Sequence, residues 1–205
     1  GTTAYIKSWY DQAGGGFHLS QTTAGSQPLI KSSSSLITVN SKIAAYFSSD
    51  FLPIDSSDIN IGSVSVYWVG KNNSLGFATN QWPWGLSSDA AEWFGQLLNG
   101  SADKFYYGGV GLVSSVSSNT DQHILQFSAG TSEAPKIYRD GSAGTGSGTR
   151  ETDDCSVNAY NGLGGWGTSL YAWQGYVQEF IVFNTDTNSD RADITSNINT
   201  HYSVY

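Results

Sequence analysis

The sequence predicts an all-β fold: a two-sheet antiparallel jelly-roll sandwich closed by one short C-terminal helix. Three observations carry that expectation. Gly175 to Asn184 reads Gly-Tyr-Val-Gln-Glu-Phe-Ile-Val-Phe-Asn. Strict alternation sends Tyr176, Gln178, Phe180 and Val182 one way and Val177, Glu179, Ile181 and Phe183 the other, so both faces are largely apolar and need cover. Ile59 to Val69 sets Ile59, Ile61, Val64, Val66 and Trp68 against Tyr67 and Val69, with Gly62 and Gly70 as punctuation, which reads as a central strand with Ser63 to Val69 in the core. Finally, only 13% of the 205 residues are charged while 14% are aromatic, against ~25% charged in an ordinary soluble domain. Such a composition belongs to a loop-rich, extracellular kind of β protein.

The remaining elements follow in order. After the Gly14-Gly15-Gly16 turn, Phe17 and Leu19 alternate with polar neighbours, and Ser32 to Ser35 reads as a loop. Leu36 to Val39 and Ile43 to Phe47 are β-prone runs separated by Asn40-Ser41, a hairpin pattern. From Ser74 to Tyr107, aromatics are packed between Gly, Ser and Asn. Gln122 to Phe127 is a strand, and Lys136 to Gly141 is another that ends in an Asp-Gly turn. Gly141 to Gly148 reads as a mobile surface loop. Thr187 to Asp190 resembles a capping box ahead of Ala192, Ile194, Ile198 and Tyr202, which places a helix over Asp190 to His201.

Two segments bracket the chain, Trp9-Tyr10-Asp11-Gln12-Ala13-Gly14-Gly15-Gly16 near the start and Gly175 to Asn184 near the end. Together they resemble the laminin-G-like branch of the concanavalin A-like lectin/glucanase superfamily. Val64 to Lys71 and Lys136 to Gly141 follow two further strand patterns of that family, and Tyr202-Ser203-Val204-Tyr205 resembles the tails after such helices in its bacterial and phage members. The resemblance spans nearly the whole chain and implies a single domain over 1–205. The chain contains no Met, so it is read as a piece of a longer protein.

Charge and motif content narrow the function. A net charge of −8 with scattered Lys and Arg argues against nucleic acid as a partner, and no run approaches the ~20 apolar residues a membrane helix needs. Cys155 stands alone, so no intrachain disulfide forms and the redox compartment cannot be read from it. His18, His123 and His201 lie far apart in sequence, without zinc-ligand spacing. The paired carboxylates that the glucanase relatives carry on one strand are missing. Glu151 with Asp153 forms the nearest acidic pair, in a setting that lacks β-prone flanks. Calcium needs no compact motif, and relatives of this fold carry one ion, so Asp11, Asp153, Asp154 and Glu179 are candidate Ca2+ ligands, with Asp140 a further contributor. Asp11 reads equally well as an Asx-turn residue that organises its glycine loop.

Sugar recognition asks for aromatic faces that stack on a pyranose and for amides or carboxylates that reach its hydroxyls. Asn80-Gln81-Trp82-Pro83-Trp84, Tyr106-Tyr107 and the segment from Asn161 to Trp166 have that make-up. Trp82, Trp84 and Trp166, among loop formers, are expected at an exposed rim, with Asn80, Gln81, Tyr106, Tyr107 and Asn161 beside them. Trp9 and Trp68 are assigned to the core and Trp173 stays open. The expected function is a noncatalytic glycan-binding or adhesive module of a secreted, cell-surface or virion protein, with a glycan or neighbouring subunits of an assembly as partners. Two alternatives stay open: a phage tail-fibre or head-decoration domain, and a glycoside hydrolase or lyase with its acids on separate strands, Glu92 with Glu179 or Asp89.

Overall fold

A computed structural model describes residues 1–54, 59, 61–74, 80–87, 93–100, 102–108, 112–130, 134–146, 161–165 and 171–205. Two antiparallel sheets dominate it. In spatial order, the nine-stranded sheet runs β1 (Ala4–Tyr5), β4 (Leu29–Ser32), β8 (Ala45–Ser48), β19 (Gln174–Phe183), β10 (Val64–Asn72), β15 (Gln122–Ala129), β16 (Lys136–Arg139) and β17 (Ser142–Ala143), with β5 (Ser35–Leu36) paired to β4. The six-stranded sheet runs β14 (Leu112–Ser117), β13 (Ala102–Gly108), β12 (Trp93–Asn99), β11 (Gln81–Ser87), β18 (Gly162–Leu163) and β9 (Leu52–Pro53). Two small ribbons, β2 (Ser8–Trp9) with β3 (Leu19–Ser20) and β6 (Thr38–Val39) with β7 (Lys42–Ile43), flank them. Helix α1 spans Arg191–Tyr202.

The main core lies between the sheets. Val64, Val66 and Trp68 of β10 and Leu125 and Phe127 of β15 face Trp84 and Leu86 of β11, Phe94 and Leu98 of β12 and Phe105 and Tyr107 of β13. The opposite face of β10, Tyr67 and Val69, is sealed with Ile124 by Ile198 and Tyr202 of α1. Each side of the central strand therefore has its own apolar cover, as the alternation of its sequence requires.

Three local details differ from simple expectation. In β19, Val69 pairs with Glu179 and Gly70 with Val177, so Gln178 is the extra residue of a β-bulge. The bulge breaks the alternation: Val177, Phe180 and Val182 all join the inner core. A Cβ on Gly70 would overlap the Trp68 ring, so only glycine fits beside the bulge. Second, the capping-box expectation is corrected. Neither Thr187 nor Asp190 makes a side-chain cap, and Asn188 N–H instead donates to Asp186 Oδ1 at 2.9 Å. Third, the loop expected over Gly141 to Gly148 is a strand over Ser142–Ala143, with Thr145 bridged to Ser115; positions 147 and 148 lie outside the described residues.

Candidate functional site

The structure corrects the expected aromatic rim. Trp84 is 0% exposed and Trp82 2% exposed, although the sequence placed both among loop formers. Residues two apart on a strand normally share a face, yet these two do not. Gln81 pairs with Leu98 and Trp84 with Gln96, so the strand bulges at Trp82-Pro83. Proline has no N–H to give the ladder and is at home in such a bulge. The shift turns Trp84 into the main core, where it meets Phe127 edge-on at 4.8 Å. Trp82 is left on the outer face of the smaller sheet against Leu97 and Tyr106. Tyr107, Gln81 and Asn161 are buried as well, while Tyr106 and Asn80 are partly exposed. These residues therefore form no stacking platform with Trp84. Trp166 lies outside the described residues.

A concavity lies elsewhere, where β8 leaves β19. Their pairing stops at Ala45 with Val177, and past that point a groove of about 660 Å³ opens, a size usual for ligand sites. Ala45, Val177, Gln178 and Ile30 of the larger sheet line it, and the rest of its lining comes mainly from three other parts of the chain. Trp9 and Tyr10 approach from β2 and the loop after it, Ser41, Lys42 and Ile43 from the β6–β7 hairpin, and His201 and Tyr202 from the end of α1. Trp9, assigned to the core from sequence, rests partly buried on the main core and also lines this groove. Trp68 is buried as expected, and Trp173 joins it.

Local chemistry holds each wall. Asp11 organises the glycine loop as an Asx-turn: Ala13 N–H donates to its Oδ1 at 2.7 Å and Phe17 N–H to its Oδ2 at 3.4 Å. Its own N–H donates to His18 Nδ1 at 3.0 Å, and the His18 ring meets Tyr10 edge-on at 5.1 Å. The Ala13 N–H bond, ahead of other backbone donors in the loop, lowers the Asp11 pKa. Tyr10 emerges 61% exposed. The hairpin turns on Asn40 and Ser41, both with positive φ (45° and 62°), as a two-residue hairpin turn requires. Gln178 Nε2 donates to Val39 O at 2.9 Å and Lys42 O at 3.1 Å, clamping that hairpin to the sheet. At the third wall, Tyr202 OH donates to Glu179 Oε2 at 2.8 Å, and burial first, then the Glu179 carboxylate, pushes its pKa up.

The candidate calcium ligands are thus engaged where they are described. Both Asp11 oxygens face backbone donors and Glu179 accepts from Tyr202, and Asp140 accepts from Ile124 N–H and contacts His123. Among the described residues no three His, Cys, Asp or Glu side chains gather as a metal cluster. Asp153 and Asp154 lie outside the described residues, as do Glu92 and Asp89. The groove itself was missed from sequence because its lining is scattered from Ile6 to Tyr202. The one local signal was the Trp9-Tyr10-Asp11-Gln12 segment.

No family model matches this chain, and no curated protein matches it. Solved structures do. The binding domain of botulinum neurotoxin serotype D superimposes with a TM-score of 0.52 at 10% identity, covering 94% of this chain and 50% of that one. The botulinum neurotoxin type C structure, from a protein whose cell entry depends on interaction with two ganglioside molecules, gives 0.52 at 10% identity, covering 97% and 50%. Trypanosoma rangeli sialidase in complex with the inhibitor DANA gives 0.51 at 13%, covering 96% and 35%. The chain thus spans half or less of the length of these three structures. At such identities the likeness is one of fold, and this chain is an all-β sandwich of the kind those proteins contain.

Proposed function

We propose that this chain is a noncatalytic carbohydrate-binding module of an extracellular, cell-surface or virion protein, and that it holds a glycan in the groove beside Trp9 and Tyr10. The carrying observation is the composition of that groove. An exposed phenol and a half-buried indole share the lining with Ile30 and Ile43 and with Ser8, Gln12, Ser41 and Lys42. Aromatic faces pack on the apolar side of a pyranose while hydroxyl, amide and ammonium groups reach its hydroxyls. The laminin-G-like resemblance of the motifs supports the reading, and so does a fold shared with a botulinum neurotoxin whose cell entry depends on interaction with two ganglioside molecules.

A glycan array run with and without calcium tests it, with Tyr10→Ala as the control. Tyr10 is mostly solvent-exposed, so its loss is expected to leave the melting temperature unchanged while lowering affinity about fivefold, the equivalent of ~1 kcal/mol of stacking. A blank array, together with a truncation that stops particle assembly, would replace this reading with a virion structural one. Polysaccharide hydrolysis lost on Glu179→Gln would replace it with a hydrolase. A signal that needs calcium would assign the ion a role at the rim.

A further inference from the structure

The chain carries 17 acidic and 9 Lys or Arg residues, so a hollow that holds basic groups and no carboxylate runs against the overall charge. This groove has no Asp or Glu in its lining, and Lys42 and His201 are its basic members. Among the described residues the ion pair present is His123 with Asp140 at 2.7 Å, so neither Lys42 nor His201 faces a described carboxylate at salt-bridge distance. Lys42 shares that state with the other described lysines; what sets it apart is its place in the groove beside His201 and the aromatic pair, where an anion can reach it.

Both residues stand on anchored backbone. Lys42 belongs to the hairpin that Gln178 clamps through Val39 O and Lys42 O. His201 sits in the last turn of α1, with its ring edge-on to Tyr202 at 4.6 Å. Asn40 Nδ2 donates to Ser203 O at 3.1 Å, tying the hairpin turn to the residue that ends the helix. The two basic groups therefore ride on elements bonded to each other, while Trp9 and Tyr10 come from a separate ribbon.

We propose that the groove selects an acidic sugar, one bearing a carboxylate or a sulfate, with the oxyanion met by Lys42 and His201 and the pyranose face laid on Trp9 and Tyr10. This rests on the glycan-binding reading and specifies its ligand class. Charge-assisted hydrogen bonds outweigh neutral ones by enough to discriminate acidic from neutral sugars about tenfold.

The test is calorimetry on the 205-residue chain with matched pairs: sulfated lactose against lactose, and sialyllactose and trigalacturonate each against its methyl ester. The expected result is that an acidic member binds about tenfold more tightly than its neutral partner. The preference should fall with added salt, vanish in Lys42→Gln and persist in Lys42→Arg. The carboxylate and sulfate arms identify the anion. Equal binding of acidic and neutral partners that is lost on Tyr10→Ala would overturn this inference and leave the glycan-binding reading standing. A preference that survives Lys42→Gln would overturn the assigned anion site. If no glycan binds in these pairs or on the array, both readings fall together.

Discussion

At the scale of single residues, Trp82 and Trp84 show how one backbone irregularity decides the fate of a side chain. Their two-residue spacing would place both indoles on one face, and the bulge at Pro83 splits them between the main core and the outer cluster. Trp84 packs against Phe94, Phe127 and Phe180 with no exposed surface, so it is a structural residue. Trp84→Ala is expected to destabilise the domain by about 3–5 kcal/mol, the range for emptying a large aromatic site. Urea unfolding would show a lowered midpoint, and a midpoint equal to the parent's would place the indole outside the core. Tyr10 makes the opposite case: a partner would use its exposed ring, and the fold scarcely would.

At the scale of elements, the bulge at Gln178 is the joint on which the groove depends. The inserted residue contacts Gln122 through its side-chain oxygen and donates from Nε2 to the hairpin carbonyls. Without it the β6–β7 ribbon, only two residues per strand, has little of its own to hold it, since isolated hairpins are marginal in water. Gln178→Ala removes a buried donor and leaves Val39 and Lys42 carbonyls unbridged. The expected cost is about 1–3 kcal/mol, with faster amide exchange confined to the hairpin. Uniform exchange rates across the variant and the parent would contradict the clamp. Helix α1 ends with equal care: Ser203 takes a left-handed φ of 52° and its N–H donates to Asn199 O at 2.7 Å, while Asn199 Oδ1 accepts from Val204 and Tyr205.

At the scale of the whole molecule, the two sheets are joined by polar groups as well as by aromatics. Trp173 Nε1 donates to Asn72 Oδ1 at 3.0 Å, and Asn72 Nδ2 to Ser118 Oγ at 2.8 Å. Gln96 Nε2 donates to Asp103 Oδ1 at 2.7 Å, and the Ser118 and Asn72 side chains lie near enough to influence the same carboxyl. The Trp173–Asn72–Ser118 bonds run from the larger sheet to the end of β14 in the smaller, and the Asp103 carboxyl beside them is 1% exposed. Burial raises the Asp103 pKa, and the Ser118, Gln96 and Asn72 side chains only partly oppose it. A folded pKa above the unfolded one means the group's stabilising contribution is full below the unfolded value and is lost as pH rises through the folded one. Stability is therefore expected to decline from about pH 4 upward through that raised pKa. Asp103→Asn, which resembles the protonated form, should flatten the decline and melt no lower than the parent at neutral pH. A parent-like slope in the variant would show that other groups set the pH response.

Much of the architecture was legible in the chain. The alternation of Val64, Val66 and Trp68 against Tyr67 and Val69 named both faces of the central strand, although Ile61–Ser63, read into it, forms a 3-10 turn; Asn40-Ser41 named a hairpin; and Ile194, Ile198 and Tyr202, though not Ala192, which is exposed, named the helix face that covers the sheet. These are local properties: side-chain period, turn conformation and helical spacing are set by residues a few positions apart. The groove was not legible, because a bulge changes which way every following side chain points and because Trp9, Lys42, Gln178 and His201 meet only once the sheet, hairpin and helix have packed. The sequence alone determined the layered β class and its apolar strands. Tertiary packing decided which indoles are enclosed and where a surface is left for a partner, since both depend on register and on contacts between distant segments.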